Sequence, residues 1–374
     1  MKLLIPRTYI LLSTALFNIV VNATPVKFSP AHDTIKNTAS LVIQFDLANA
    51  KQTIALLRKK QLTDSELDQW VKLPGTQALI SKVKSSGDTA ISAIKKVIAQ
   101  QPLTAQEKRF QYEFVYNNLP QMQAFIEKLD ESRDSIITFL KAKLGQYIPA
   151  NKQTTITLHG LMGSYSSGFA FTQDPTAFYM GLHFYKTDVQ GVTIAAEHEL
   201  FHTIQTLGYN YKPVMEKMTK VDSTYEAPYY LIRHLYLEGS AQYIADGKPY
   251  IATSPFLKNE YDHMTVNSYR EEADFYLLEH LLLDVYNHPS NMNFDHVYSI
   301  LFDWNWNNPA YHAGKEMINA LVKANGDQYI HQSLQKDALF FVKDYIFLAK
   351  TKTGLYTFSE DFEKLIDKMI RELK

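Results

Sequence analysis

The sequence predicts an α+β protein, mainly helical, with a small antiparallel sheet packed on one histidine-bearing helix. Three observations lead there. Apolar residues recur at helical spacing from Ala48 to Gly145, and again from near Val192 to the C terminus. Between these stretches, "TTITLHGL" and "AFYMGLHFY" alternate apolar with polar residues around the glycine- and serine-rich "GSYSSGFAF", as strands joined by turns do. The composition, 46% hydrophobic and 21% charged over 374 residues, is that of a chain able to bury a real core.

The first 23 residues read as an export signal. Lys2 and Arg7 supply the positive start, Tyr9 to Val21 is mostly apolar, and "VNA" ends in a small residue, so cleavage is expected after Ala23. The apolar run is short for a bilayer span, and nothing downstream approaches one. The expected location is therefore periplasmic or secreted. With no cysteine in the chain, disulfides and thiolate ligands are excluded, and any metal must be held by His, Asp or Glu.

Thr24 to Ser40 is polar and proline-containing, an extended lead-in. Residues 24–150 read as a helical N-terminal section and residues 151–374 as a second section with the short sheet and a helical C-terminal part. In "DLANAKQTIALLRKK", Ala50, Ile54 and Leu57 fall on one helical face. "TDSELDQWVKL" opens with Thr63 as N-cap and Glu66 three residues later, a capping box. "TAQEKRFQYEFVYNNL" and "QMQAFIEKLDESRDSIITFLKAKL" predict two long helices separated at Pro120. Near the other end, "SYREEADFYLLEHLLLDVY" predicts an amphipathic core helix with Glu272, Glu279 and His280 in solvent. Lys+Arg 38 against Asp+Glu 39 lacks the basic excess of a nucleic-acid binder, and the 24 tyrosines are read as ordinary packing.

Chemistry concentrates in "AAEHELFHTIQ", residues 195–205. On a helix, positions four apart lie one turn above each other, so His198 and His202 reach one ion from the same face. Glu199 is rotated by about 100° and points beside that ion, where it can hold a water. Two imidazoles on one helix need a third ligand to form an open catalytic zinc site. "YLEGSAQYIAD", residues 236–246, offers it: Glu238 sits on a second predicted helix opened near Pro228. Gly239 weakens that helix by roughly 1 kcal/mol, which is accounted for if a small residue lets two helices approach until the carboxylate reaches the ion. His234, one turn earlier, is the rival ligand.

H-E-x-x-H followed by E-G-x-A on a later helix resembles the gluzincin group of zinc metallopeptidases, and within it a little-characterised bacterial family of zinc-dependent peptidases. The resemblance implies a zincin-like fold for residues 151–374, one zinc per chain on His198, His202 and Glu238, and Glu199 as general base in peptide-bond hydrolysis. It also implies a Tyr or His from beyond the ligands as oxyanion donor, for which Tyr311 is taken, with His312 beside it. The strand near Gly168 and Phe169 is the expected edge for an extended peptide substrate. Where thermolysin-like enzymes place an aspartate to orient a ligand histidine, this chain has Gln242, leaving Asp246 as a substitute. A hydrolase of non-peptide amides or esters could use the same ion and base; a silent binding protein would have no use for Glu199.

Overall fold

A computed structural model describes residues 40–149, 152–171, 174–209, 211, 213, 214, 216, 217 and 223–373. The expected export signal and most of the lead-in lie outside the described residues. The chain enters through strand β1 (Ser40–Asp46), then α1 (Ala48–Leu57), α2 (Asp64–Val71), α3 (Pro74–Lys82), α4 (Gly87–Ile98), α5 (Ala105–Lys108), α6 (Tyr112–Asn117), α7 (Leu119–Glu131) and α8 (Arg133–Leu144). Ala50, Ile54 and Leu57 are buried on α1, and Thr63 and Glu66 form the capping box of α2. Two expected helices are each broken. Gln111 adopts a left-handed φ of 58° and separates α5 from α6, while Pro120 starts a helix rather than ending one. The second break is at Ser132, between α7 and α8.

Strands β2 (Gln153–Leu161), β3 (Gly168–Phe171) and β4 (Asp174–Gly181) complete one four-stranded sheet in the order β1-β2-β4-β3. Mainly helical α+β architecture is thus present, but the sheet is mixed rather than antiparallel. β1 pairs with β2 and β2 with β4 in parallel, and only β3 with β4 is antiparallel. The reason is the connection: parallel neighbours need a crossover, and eight helices run between β1 and β2. The N-terminal section therefore contributes an edge strand to the sheet.

Register places Asp46, His159, Tyr179 and Phe169 directly opposite one another across the four strands. They form one ladder. Asp46 Oδ2 meets His159 Nδ1 at 2.9 Å, the His159 ring stacks on Tyr179 at 4.8 Å, Tyr179 stacks on Phe169 at 5.1 Å, and Lys82 Nζ caps Phe169 at 5.3 Å. The His159 hydrogen bond is the largest influence on the Asp46 carboxyl and holds it below its usual range. Such same-face pairs fix register across the sheet.

After β4 come α9 (Val189–Gly208), α10 (Glu226–Ile244), α11 (Pro255–Tyr269), α12 (Glu271–Asn287), α13 (Asn291–Phe302), α14 (Pro309–Asn325), α15 (Gln328–Ser333), α16 (Ala338–Ala349) and α17 (Glu360–Leu373). Glu272 and His280 are exposed on α12, but Glu279 is buried, contrary to expectation. Its carboxylate accepts hydrogen bonds from the Tyr356 hydroxyl at 2.8 Å and the Ser359 backbone N–H at 2.9 Å, so it ties down the entry to α17. Among the described residues no helix is long and apolar enough to cross a membrane.

Candidate metal centre

α9 is built as a buried helix. Val192, Ala196, Leu200, Phe201 and Ile204 are fully buried along it. Asp188 caps its start by accepting from Gly191 N–H at 2.9 Å, and the same carboxylate accepts from Ser254 Oγ and from Phe256 N–H at 3.0 Å. One aspartate thus joins the N termini of α9 and α11, the two walls between which the site opens.

His198 and His202 project from the face that α9 turns toward α10, with their rings 4.9 Å apart and nearly perpendicular. Glu238 arrives from α10: its Oε2 lies 3.2 Å from His198 Nε2 and 3.4 Å from His202 Nε2. The three ligand atoms lie within 4.8 Å of one another. Burial opposes charge on Glu238, but the two imidazoles outweigh it and hold the carboxyl well below its usual range. On His202 burial again opposes charge, and Glu238 overrides it, lifting the pKa to about 9. Both shifts express one demand, positive charge between two imidazoles and a carboxylate. This donor set fits zinc.

The tautomer of His202 is fixed by its neighbours. Gln205 Nε2 donates to the Leu237 carbonyl at 2.9 Å and to Ser240 Oγ at 2.8 Å, while Ser240 Oγ itself donates to the Tyr236 carbonyl at 2.7 Å. The amide is therefore oriented with Oε1 toward His202, where it accepts the Nδ1 proton at 2.7 Å. The Nε2 lone pair is left to face the other ligands. Gln205 is the orienting residue that sequence reasoning missed; its signal is an amide three residues after the second histidine, one turn further on the same face. Gln242 takes no part in this, its Nε2 pointing at Met264 Sδ at 3.3 Å. Asp246 sits at the end of α10, 4.0 Å from Lys315 Nζ.

Gly239 does bring two helices into contact, but the partner is α14 rather than α9. A Cβ on Gly239 would lie 2.3 Å from the Gly314 carbonyl carbon, and one on Gly314 would lie 2.4 Å from the Leu235 carbonyl oxygen. This crossing carries Tyr311, one turn before Gly314, up to the ligands. Its ring lies parallel to His198 with centroids 6.3 Å apart, and burial, then the Glu238 and Glu199 carboxylates, push its phenol well above the usual range. His312, on the next position, is buried and also lines the cleft, its Nε2 3.7 Å from a Glu271 carboxylate oxygen. His234 is not among the ligand atoms: its Nδ1 lies 3.3 Å from the Tyr230 carbonyl and its ring stacks on Tyr230.

A cleft of about 500 Å³ opens onto His198, Glu199 and Tyr311. Glu199 is half-buried in its wall, and burial raises its carboxyl above the usual range, with His198 and His202 acting in the opposite sense. Gly168 and Phe169 do not line the cleft. Phe169 is spent in the sheet ladder and Gly168 packs on the Phe178 ring, where a Cβ would lie at 2.6 Å; it is the preceding Ser167 that reaches the wall. β3 remains the strand at that end of the sheet.

Residues 67–354 match the sequence model of the family "Putative zinc dependent peptidase (DUF5700)". The chain belongs to that family. The DUF5700 region runs from α2 past α16 and contains the whole trio, Glu199, Gln205 and Tyr311. Neither a curated protein nor a solved structure gives a significant match. In this DUF5700 member the His198–His202–Glu238 cluster is compatible with zinc.

Proposed function

We propose that the chain is a gluzincin-type zinc metallopeptidase, with His198, His202 and Glu238 as ligands and Glu199 as general base. The convergence of the three ligand atoms within 4.8 Å beside a half-buried glutamate carries the reading. When bound, zinc would polarise the scissile carbonyl and make a nearby water more acidic. Glu199, raised by burial, is suited to accept that water's proton and to return it to the leaving amine. Tyr311, kept protonated by burial, is placed to donate to the oxygen that gains charge. Gln205 holds His202 in the tautomer that leaves Nε2 free to ligate. Extended peptide would enter along the cleft between α9 and α11. An export signal cut after Ala23 belongs to the same proposal and is read by N-terminal sequencing of the mature protein.

A peptide-library digest with purified protein tests the activity. Glu199→Gln should keep its zinc while kcat/KM falls by roughly 10²–10⁴-fold, and Tyr311→Phe should lose on the order of 10²-fold in kcat. Full activity in Glu199→Gln removes it as the base.

A further inference from the structure

We propose that Glu260 is a specificity-determining residue that receives the side chain of a lysine or arginine flanking the scissile bond. This rests on the peptidase reading and deepens it. Phe256, Glu260, His263, Met264 and Asn267 all line the cleft from α11. Their spacing puts them on one helical face, with Phe256 one turn before the carboxylate and Met264 one turn after it.

Glu260 is half-buried and makes no hydrogen bond or ion pair with a described residue. Burial pushes its carboxyl up to about 7, with His263 and His198 pulling the other way. His263 is already engaged, its Nδ1 3.1 Å from Asn307 Oδ1 and its ring 4.4 Å from Trp304. The cationic side chains of the cleft lie elsewhere: Lys315 is 4.0 Å from Asp246, and Lys248 is exposed at the rim. A carboxylate that has lost much of its water and has no cationic side chain on it gains strongly from one that a substrate brings.

The apolar surroundings define the shape of that cation. Tyr185 packs against Phe256 with ring centroids 4.8 Å apart, and both line the same cleft as Glu260 and His198. Phe256, Met264 and Tyr185 offer apolar surface to a long methylene stem, and Glu260 meets the charge at its end. A compact acidic or neutral side chain uses neither feature. His198, Glu199 and Glu260 line one cleft, which sets the subsite beside the proposed reacting centre.

Peptides that differ only in lysine or norleucine at each position flanking the scissile bond, each with a free or acetylated N terminus, test this. The proteins compared are wild type, Glu260→Gln and Glu260→Lys. Expected is a preference for lysine of roughly tenfold or more in wild type, abolished in Glu260→Gln and turned toward glutamate-bearing peptides in Glu260→Lys. A preference unchanged in Glu260→Gln overturns the proposal, as does a preference that follows the free N terminus instead of the side chain. If wild type cleaves no peptide, the peptidase reading fails separately. Calorimetric titration of the zinc-loaded proteins with L-lysinamide and L-norleucinamide then decides the subsite. Lysinamide binding that weakens selectively in Glu260→Gln supports it, and equal binding to both proteins overturns it.

Discussion

Gln205 shows how much of the candidate metal centre rests on a side chain outside its motif. Buried at 4% exposure, it spends both amide protons on α10 and its oxygen on His202. Gln205→Leu should weaken zinc binding by roughly 10–100-fold, measured by chelator competition. Unchanged affinity in Gln205→Leu would show that packing alone orients His202. The convergence of His198 and His202 was legible in the sequence, because a four-residue spacing has one geometric meaning on a helix. Gln205 was not, since glutamine is an ordinary helix residue until its partners on α10 are known. Glu279 escaped for the same reason: helical periodicity marks it as a polar position, and its partners Tyr356 and Ser359 lie about eighty residues away.

Among elements, the α10–α14 crossing decides where Tyr311 sits relative to the His198–His202–Glu238 cluster. Gly239 was legible as a close approach, yet the identity of the approaching helix was not, because a glycine records only that something comes near. Gly314→Ala must push a methyl against the Leu235 carbonyl at 2.4 Å, backbone that cannot step aside. It should destabilise the fold by roughly 1–3 kcal/mol in denaturant melts, and displacement of Tyr311 should lower kcat in whatever fraction stays folded. Stability and rate equal to wild type would mean that the crossing adapts freely. The sheet teaches a related lesson. Alternation identified β2 and β4 as strands, but direction depends on connections, and β1 is an edge strand whose partner β2 lies over a hundred residues downstream.

For the molecule as a whole, the described core is continuous from β1 to α17, so local charge burial appears in global stability. His183, 6% exposed between Phe114 and Phe184, has its pKa lowered by burial to about 4, the Ser164 backbone acting weakly the other way. Its unfolded value is about 6.5, so between these values the unfolded chain binds more protons than the folded one. The stability that neutral His183 allows is complete above about pH 6.5 and is lost as pH falls toward about 4. Melting temperatures at neutral and acidic pH should therefore diverge less in His183→Asn than in wild type; an identical pH dependence would remove His183 as the cause.

The centre itself is the claim on which the rest depends, and metal content tests it most directly. Elemental analysis of the purified protein, wild type beside His202→Ala and Glu238→Ala, should find about one zinc per wild-type chain and little in either variant. A wild-type protein that holds no zinc after reconstitution, or variants that hold as much as wild type, would contradict it.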